Sequence, residues 1–198
     1  MRLAAPYRCV PVNSDVSPHA LLMPVQRFTI PGHATKREFA IYAVVARKIG
    51  TTECRVYVGK TGDNRAGCNP VISRAGNHFS YNDIHSQVRT KLAPAQPHEF
   101  DFEYFYVAFH TYRDGDGDLR AKIDSINEME RAANVAVHRA LPEGAKDALL
   151  NRYKGAGHVQ KAEREKRNAL RTQENQDEIE ALAKAVSDHV RSIAGAAP

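Results

Sequence analysis

The chain has 198 residues and a formal net charge of +5, from 28 lysines and arginines against 23 aspartates and glutamates. This length predicts one packed domain with extensions, and the mild positive charge favours a polyanionic partner without requiring one. Three cysteines without a C-x-x-C spacing disfavour a disulfide framework and a zinc finger. Since no stretch approaches the roughly 18 apolar residues of a membrane span, we expect a cytoplasmic protein without a membrane partner.

An N-terminal arm is predicted over residues 1–37, which contain five prolines. Proline at this density breaks helices and central strands, so the arm would lie on the core or form an edge strand. The core is expected over residues 38–143, followed by a basic and helical C-terminal extension over residues 144–198.

The predicted core opens with two strands. Residues 39–46 are rich in β-branched and aromatic side chains, and residues 55–59 form their hairpin partner across a polar turn. A short helix around 71–77 follows, then a second helix that presents Ile84, Val88 and Leu92 on one face.

A third strand is predicted over residues 99–109, where acidic and aromatic side chains alternate. A helix of about twenty residues then ends near Pro142, because proline cannot continue a helix. The order strand, strand, helix, helix, strand, helix predicts an α+β fold, in which a small mixed or antiparallel three-stranded sheet is flanked by helices.

The helix before Pro142 carries a carboxylate within an apolar stripe. At about 100° per residue, Ile126 and Val137 fall in one narrow arc that also contains Glu130. A carboxylate there costs several kcal/mol to desolvate unless it is paired or binds a cation. A cation site and a helix that merely lines a solvent cleft both explain Glu130. Glu128 points to the opposite side, where its replacement is expected to be nearly silent.

The C-terminal extension combines a basic run with an amphipathic helix. Apolar residues at spacings of three and four predict a helix that packs on the core or forms a homodimer interface. The basic run is either a solvated surface or an arm that follows a nucleic-acid backbone. The apolar residues are Ile179, Leu182, Val186, Val190 and Ile193, and the basic ones are Arg152, Lys154, Lys161, Arg164, Lys166, Arg167 and Arg171.

Short motifs lie on the two opening strands and on the helix that follows them. Ala-Ile-Tyr at 40–42 and Tyr-Val-Gly at 57–59 place their tyrosines at corresponding positions of the paired strands. Arg74 and His78 are four residues apart, and therefore on one face of the helix that follows. Each signal alone is weak, since strand tyrosines are most often packing residues.

Taken in order, these motifs resemble the GIY-YIG nuclease family over residues 38–143, with Ala40 in place of the usual first glycine. The resemblance implies a divalent-metal-dependent endonuclease that hydrolyses phosphodiester bonds in single- or double-stranded DNA. The five positions that match the family's functional residues are Tyr42, Tyr57, Arg74, His78 and Glu130.

The family resemblance also implies a role for each residue. Glu130 would hold one Mg²⁺ or Mn²⁺, and Arg74 would contact the nonbridging phosphate oxygens. Tyr42 would act as the general base with His78 relaying or accepting a proton, while Tyr57 would orient water or phosphate. The assignment of the base stays open between these three side chains.

Several alternatives accompany this interpretation. Lys60 is expected to contact nucleic acid beside the site or to favour a phenolate there. Arg65 rivals Arg74, which is preferred because a histidine follows it four residues later. Asn151 is the best counterpart of an asparagine often found after the family's glutamate. An RNA-cleaving nuclease and a catalytically silent nucleic-acid-binding protein on the same fold are the alternative functions.

Overall fold

The computed structural model describes residues 26–62, 68–82, 84–115, 117–153 and 160–195. The strands are β1 (Glu38–Lys48), β2 (Cys54–Lys60) and β3 (Phe100–Thr111). The helices are α1 (Val71–His78), α2 (Gln87–Leu92), α3 (Leu119–Ala140), α4 (Lys161–Ala169) and α5 (Gln173–Gly195). The strands form one antiparallel sheet in the order β2-β1-β3. The α+β class is confirmed, and the sheet takes the antiparallel alternative.

Strand β1 lies at the centre of the sheet because it pairs along both of its edges. Every residue from Phe39 to Ala46 is buried. This explains an apolar run without the polar alternation that a half-exposed strand shows. Ile41 faces one layer of the core, whereas Tyr42 and Val44 face the other.

Helices cover both faces of the sheet. Helices α3 and α5 pack against each other and against one face, whereas α1 and α2 lie on the face that carries Tyr42. All five apolar residues that define the stripe of α5, from Ile179 to Ile193, are buried within the chain. Packing on the core is therefore confirmed, and the stripe is not exposed to a second copy, which corrects the homodimer alternative for that surface.

Helix α2 begins later than the sequence pattern predicts. Val88 and Leu92 are buried as expected, but Ile84 precedes the helix and is 78% exposed. The backbone N–H of Ile84 donates to the side-chain oxygen of Asn82 at 3.0 Å. Such a local side-chain bond stabilises a turn in competition with the helix, which a helical spacing alone does not register.

The C-terminal extension begins by covering the outer edge of β2. Leu149 forms a parallel bridge with Val56, and the N–H of Leu150 donates to the Val56 carbonyl at 2.8 Å. An edge strand otherwise presents unpaired backbone groups to solvent. The start of the extension is thus attached directly to the strand that carries Tyr57.

The described part of the N-terminal arm, residues 26–37, contains a single 3-10 turn at Gly32–Thr35 and not the edge strand that was one alternative. Residues 1–25 of the arm lie outside the described residues. Across the ranges that the structure describes, no helix is both long and apolar enough to cross a membrane.

Candidate active site

Tyr42 and Tyr57 lie on one face of the sheet, but not at the corresponding positions that the sequence suggested. Tyr42 pairs with Gly59 and Tyr57 pairs with Val44, so the two side chains are diagonal neighbours. The hairpin register, which the turn sets, places Tyr57 two residues away from the position opposite Tyr42. His78 of α1 packs against both rings, with centroid distances of 5.6 Å to Tyr42 and 5.1 Å to Tyr57.

Gly59 makes room for this cluster. A β-carbon at position 59 would lie 2.5 Å from the hydroxyl oxygen of Tyr42 and 2.6 Å from its ring. Because real β-carbons do not approach that closely, any larger residue would displace the Tyr42 ring from its place across β2. The glycine that ends the Tyr-Val-Gly motif is therefore required by the close approach of the Tyr42 ring.

Arg74 and His78 meet at the Tyr42 hydroxyl. The Tyr42 oxygen lies 2.7 Å from Nε2 of His78, within a hydrogen bond. Arg74, one helical turn earlier on α1, donates a second hydrogen bond to the same hydroxyl. The prediction that these two residues share a helical face is confirmed, and that face is directed at Tyr42.

Burial controls the protonation of these groups. It raises the pKa of Tyr42 well above its usual value, and the hydrogen bond and charge of Arg74 offset only part of that rise. Burial, followed by the charge of Glu130, raises the pKa of Tyr57 to about 12. Burial, followed by the charge of Arg74, lowers the pKa of His78 to about 4. At neutral pH both phenols keep their protons and the imidazole is neutral.

Tyr104 on β3 is a member of the cluster that the motif comparison missed. Its ring lies 6.2 Å from that of Tyr42, and its buried hydroxyl has no hydrogen-bond partner among the described residues. Burial and then the nearby Tyr57 raise its pKa. The alternation of aromatic residues along β3 could have indicated that Tyr104 shares the face of the other two tyrosines.

Glu130 lies at the margin of the α3 stripe, beside the edge of β2. Its Oε2 accepts a hydrogen bond from Nζ of Lys60 at 2.7 Å, and its side chain is 28% exposed. Ile126 and Val137, which define the stripe, are fully buried, so Glu130 stands beside the core and not within it. Its effect on the pKa of Tyr57 shows that the carboxylate is close to the tyrosine cluster.

Asn151 joins the extension to β2 beside the same site. Its side-chain oxygen accepts the Val58 N–H at 3.1 Å, and its side-chain nitrogen donates to the Val58 carbonyl at 2.6 Å. Asn134, one turn after Glu130 on α3, donates to the Asn151 carbonyl at 2.9 Å. Asn151 thus holds the strand between Tyr57 and Gly59, and Asn134 is a supporting residue that the sequence argument overlooked.

The site contains one carboxylate with the chemistry to hold a divalent cation. Within the described ranges no three His, Cys, Asp or Glu side chains are grouped as metal ligands, so a cation at Glu130 would have fewer than three such ligands from the protein. Mg²⁺ commonly keeps several waters and binds through one or two carboxylates. The residues therefore fit Mg²⁺ or Mn²⁺, provided that the Lys60 ammonium moves away from Oε2.

Glu128 was predicted on the side of α3 opposite the apolar stripe, where its replacement would be nearly silent, but it is buried. Its side chain is 1% exposed, and its oxygens accept hydrogen bonds from Nη1 of Arg131 at 3.0 Å and from Nε of Arg171 at 2.8 Å. The helical wheel accounted for only the sheet-facing side of α3. The segment between α4 and α5 covers the other side and supplies Arg171.

Most of the predicted nucleic-acid-binding cations have acidic partners. Arg171 donates a hydrogen bond to the buried Glu128 at 2.8 Å, a structural contact that the sequence did not predict. Lys60 contacts Glu130, Lys166 contacts Asp124 at 3.0 Å, Arg167 contacts Glu163 at 2.8 Å, and Lys161 lies 3.8 Å from Glu165. Arg152 and Arg164 are exposed, whereas Lys154 and the rival Arg65 lie outside the described residues.

Comparison with known proteins adds no relative to this geometry. No family model, curated protein or solved structure matches the chain.

Proposed function

We propose that this protein is a divalent-metal-dependent endonuclease of the GIY-YIG type that hydrolyses phosphodiester bonds in DNA. One observation carries the proposal, namely the convergence of five residues from four elements on one place. Tyr42 is hydrogen-bonded to His78 and Arg74, and the His78 ring packs against Tyr57. The charge of Glu130 reaches this group, since it raises the pKa of Tyr57. A packing cluster has no need of an arginine, a histidine and a carboxylate at one strand edge.

Tyr42 and His78 would act together as the general base. Burial disfavours a standing phenolate at Tyr42, so the hydroxyl takes a proton from the attacking water as it passes its own to Nε2 of His78, 2.7 Å away. The neutral imidazole is in the form that accepts a proton. This relay is the one that the family resemblance implies.

Arg74 and Tyr57 would bind the phosphate. The guanidinium offers paired donors that match two nonbridging oxygens and keeps its charge at every relevant pH. Tyr57 stays protonated, since its pKa is about 12, and therefore donates a hydrogen bond to the phosphate or to the attacking water.

Glu130 would hold Mg²⁺ or Mn²⁺, which supplies positive charge beside the departing 3′ oxygen. Until then Lys60 neutralises the carboxylate and holds its orientation, 2.7 Å away. Once displaced from Oε2, the Lys60 ammonium lies at the edge of the site, where it can contact the nucleic-acid backbone.

The ion pair between Lys60 and Glu130 favours a second candidate, a catalytically silent nucleic-acid-binding protein on the same fold. The ammonium occupies a carboxylate oxygen that a metal ion would need, at 2.7 Å. A protein that only binds nucleic acid would use Lys60 for a phosphate and Glu130 to position it.

These functions are separated by incubating the full chain with single-stranded DNA, with duplex DNA and with RNA. Each polymer is tested with Mg²⁺, with Mn²⁺ and with EDTA. We expect internal cuts in DNA with either metal and none with EDTA. Cleavage of RNA alone would favour the RNA nuclease. Binding without cleavage of any of the three polymers would favour the silent binder.

A further inference from the structure

A cavity lies directly beyond the end of α1. It measures about 350 Å³, which is within the roughly 300–1,000 Å³ of small-molecule sites. Its lining includes three aromatic side chains together with one arginine and one histidine. The residues that line this aromatic groove are Phe79, Tyr81, Arg89, Gln96, Pro97, His98 and Phe102.

Two rings of the aromatic groove pack against each other, and the third is almost fully exposed. Phe79 and Phe102 pack edge to face, with centroids 4.6 Å apart. Tyr81 is 92% exposed, and the guanidinium carbon of Arg89 lies 5.1 Å from its ring centroid. Nε of Arg89 donates to the Ser80 carbonyl at 2.9 Å, which fixes the guanidinium beside that ring. The Tyr81 ring therefore presents a face to solvent beside a positioned guanidinium, an arrangement on which a planar ring can stack.

The aromatic groove is a neighbour of the candidate active site. Phe79 follows His78 immediately in the chain, and both pack in the same cluster as Tyr42. Phe102 belongs to the β3 row that also contains Tyr104, whose ring lies 6.2 Å from that of Tyr42. A nucleotide whose phosphate lay at Arg74 would therefore have the groove beyond the end of the same helix.

We propose that the aromatic groove binds a nucleobase of an unpaired strand, next to the phosphate that is cut. Every base has a π-face, so stacking on aromatic rings and a guanidinium is strong and tolerant of sequence. Bases inside a duplex are already stacked and cannot enter such a groove without being extruded. This inference rests on the proposed function and assigns it a substrate class, single-stranded or locally unpaired DNA.

A tryptophan reporter tests the groove directly, since the chain has no tryptophan of its own. Tyr81→Trp places one fluorophore in the groove, and Phe28→Trp is the matched control at an 84% exposed aromatic outside it. Each full-length variant is titrated with oligothymidylate, and with an abasic oligomer of equal length, in EDTA. We expect saturable quenching of Tyr81→Trp by oligothymidylate, about tenfold weaker with the abasic strand, and no base dependence in the control. Equal responses to the two strands, or none, would overturn the proposal.

Affinity for oligothymidylate gives a second readout. Tyr81→Ala should weaken binding about five- to tenfold, the lower part of the range for one base stacked on one aromatic side chain, whereas Tyr81→Phe should bind within about twofold of the parent. Equal affinities of all three would overturn the groove. Base-dependent quenching without cleavage of any polymer would support base binding in the groove and contradict the endonuclease function. Metal-dependent cleavage with base-independent quenching would support the endonuclease function and contradict base binding in the groove.

Discussion

Two carboxylates on α3, separated by a single residue, have opposite environments. Glu128 is 1% exposed and is bound by Arg131 and Arg171. Glu130 is 28% exposed and meets Lys60 beside Tyr57. A buried carboxylate with two guanidinium partners has its hydrogen-bonding capacity met within the protein, so its contribution is to stability. A partly exposed carboxylate beside a group of titratable side chains can bind a ligand.

The largest effect is expected at Glu130. Glu130→Gln removes the metal-binding charge at nearly constant volume and should reduce DNA cleavage by about a thousandfold, since metal stabilisation of the transition state is worth several kcal/mol. Cleavage is measured with Mg²⁺ under single-turnover conditions, and DNA affinity should stay within a few fold. If Glu130→Gln cleaved normally, the two carboxylates would not differ in function as proposed.

Arg74 provides the next largest effect on rate. Arg74→Ala should lower the cleavage rate by about a hundredfold or more, because it removes a cation that faces the charge of the transition state. Arg74→Lys should recover only part of that loss, since an ammonium does not provide the paired donors. Arg65→Ala is the control and should change the rate little. The reverse order of the Arg65 and Arg74 effects would move the phosphate contact into the loop after Gly59.

Acid should destabilise the tyrosine cluster through His78. The pKa of His78 is about 4 in the folded chain and about 6.5 in an unfolded one, so the unfolded chain binds more protons between these values. The stabilisation of the folded chain by neutral His78 is therefore fully present above pH 6.5. It declines as the pH falls toward 4, by up to roughly 3 kcal/mol in the free energy of unfolding.

Urea denaturation at pH 4.5 and pH 7.5 measures this dependence. The fall in unfolding free energy between the two pH values should be smaller in His78→Gln than in the parent. His85→Gln, at an exposed position, should leave the fall unchanged. An identical fall in the parent and in His78→Gln would mean that His78 is not buried in its neutral form.

The sequence predicted the elements better than the contacts between them. Periodicity located β1, β2 and α3 because each has one strongly apolar face, and the α+β class followed from their order. It could not place Glu128, whose burial depends on Arg171, 43 residues later. The diagonal position of Tyr57 depends on hairpin register, and the ion pair between Lys60 and Glu130 joins residues 70 positions apart. Long-range contacts of this kind are outside the reach of local patterns.

Replacement of the buried carboxylate should affect stability and leave catalysis unchanged. Glu128→Gln leaves Arg131 and Arg171 without their anion, but these side chains are 34% and 43% exposed and can regain water. We therefore expect a loss of about 2 kcal/mol, below that of a fully buried pair, and a Tm lower by about 4–8 °C. Calorimetry measures the shift, and the cleavage rate per folded molecule should equal that of the parent. An unchanged Tm would restore the prediction that this position is silent.

The smallest effect concerns the basic helix α4, which adjoins the Glu128 side of α3. It buries no residue of its own, so glutamine can replace its cations at constant length with little loss of helix propensity. Each phosphate neutralised contributes about −0.9 to the slope of log affinity against log salt on duplex DNA, and about −0.7 on a single strand. Arg171 is left intact because it binds the buried Glu128, and Arg167 is left intact because its side chain is only 23% exposed.

If α4 follows a nucleic-acid backbone, replacing Lys161, Arg164 and Lys166 together should flatten the slope by about two to three on duplex DNA and about two on a single strand. Surface ion pairs such as that of Lys166 with Asp124 are weak, so a phosphate can compete for the lysine. The slope is measured for the triple variant and the parent in EDTA, with circular dichroism to verify that both are folded. An unchanged slope would mean that α4 is a solvated surface and that DNA is bound by the core alone, through the edge that carries Glu130 and Lys60.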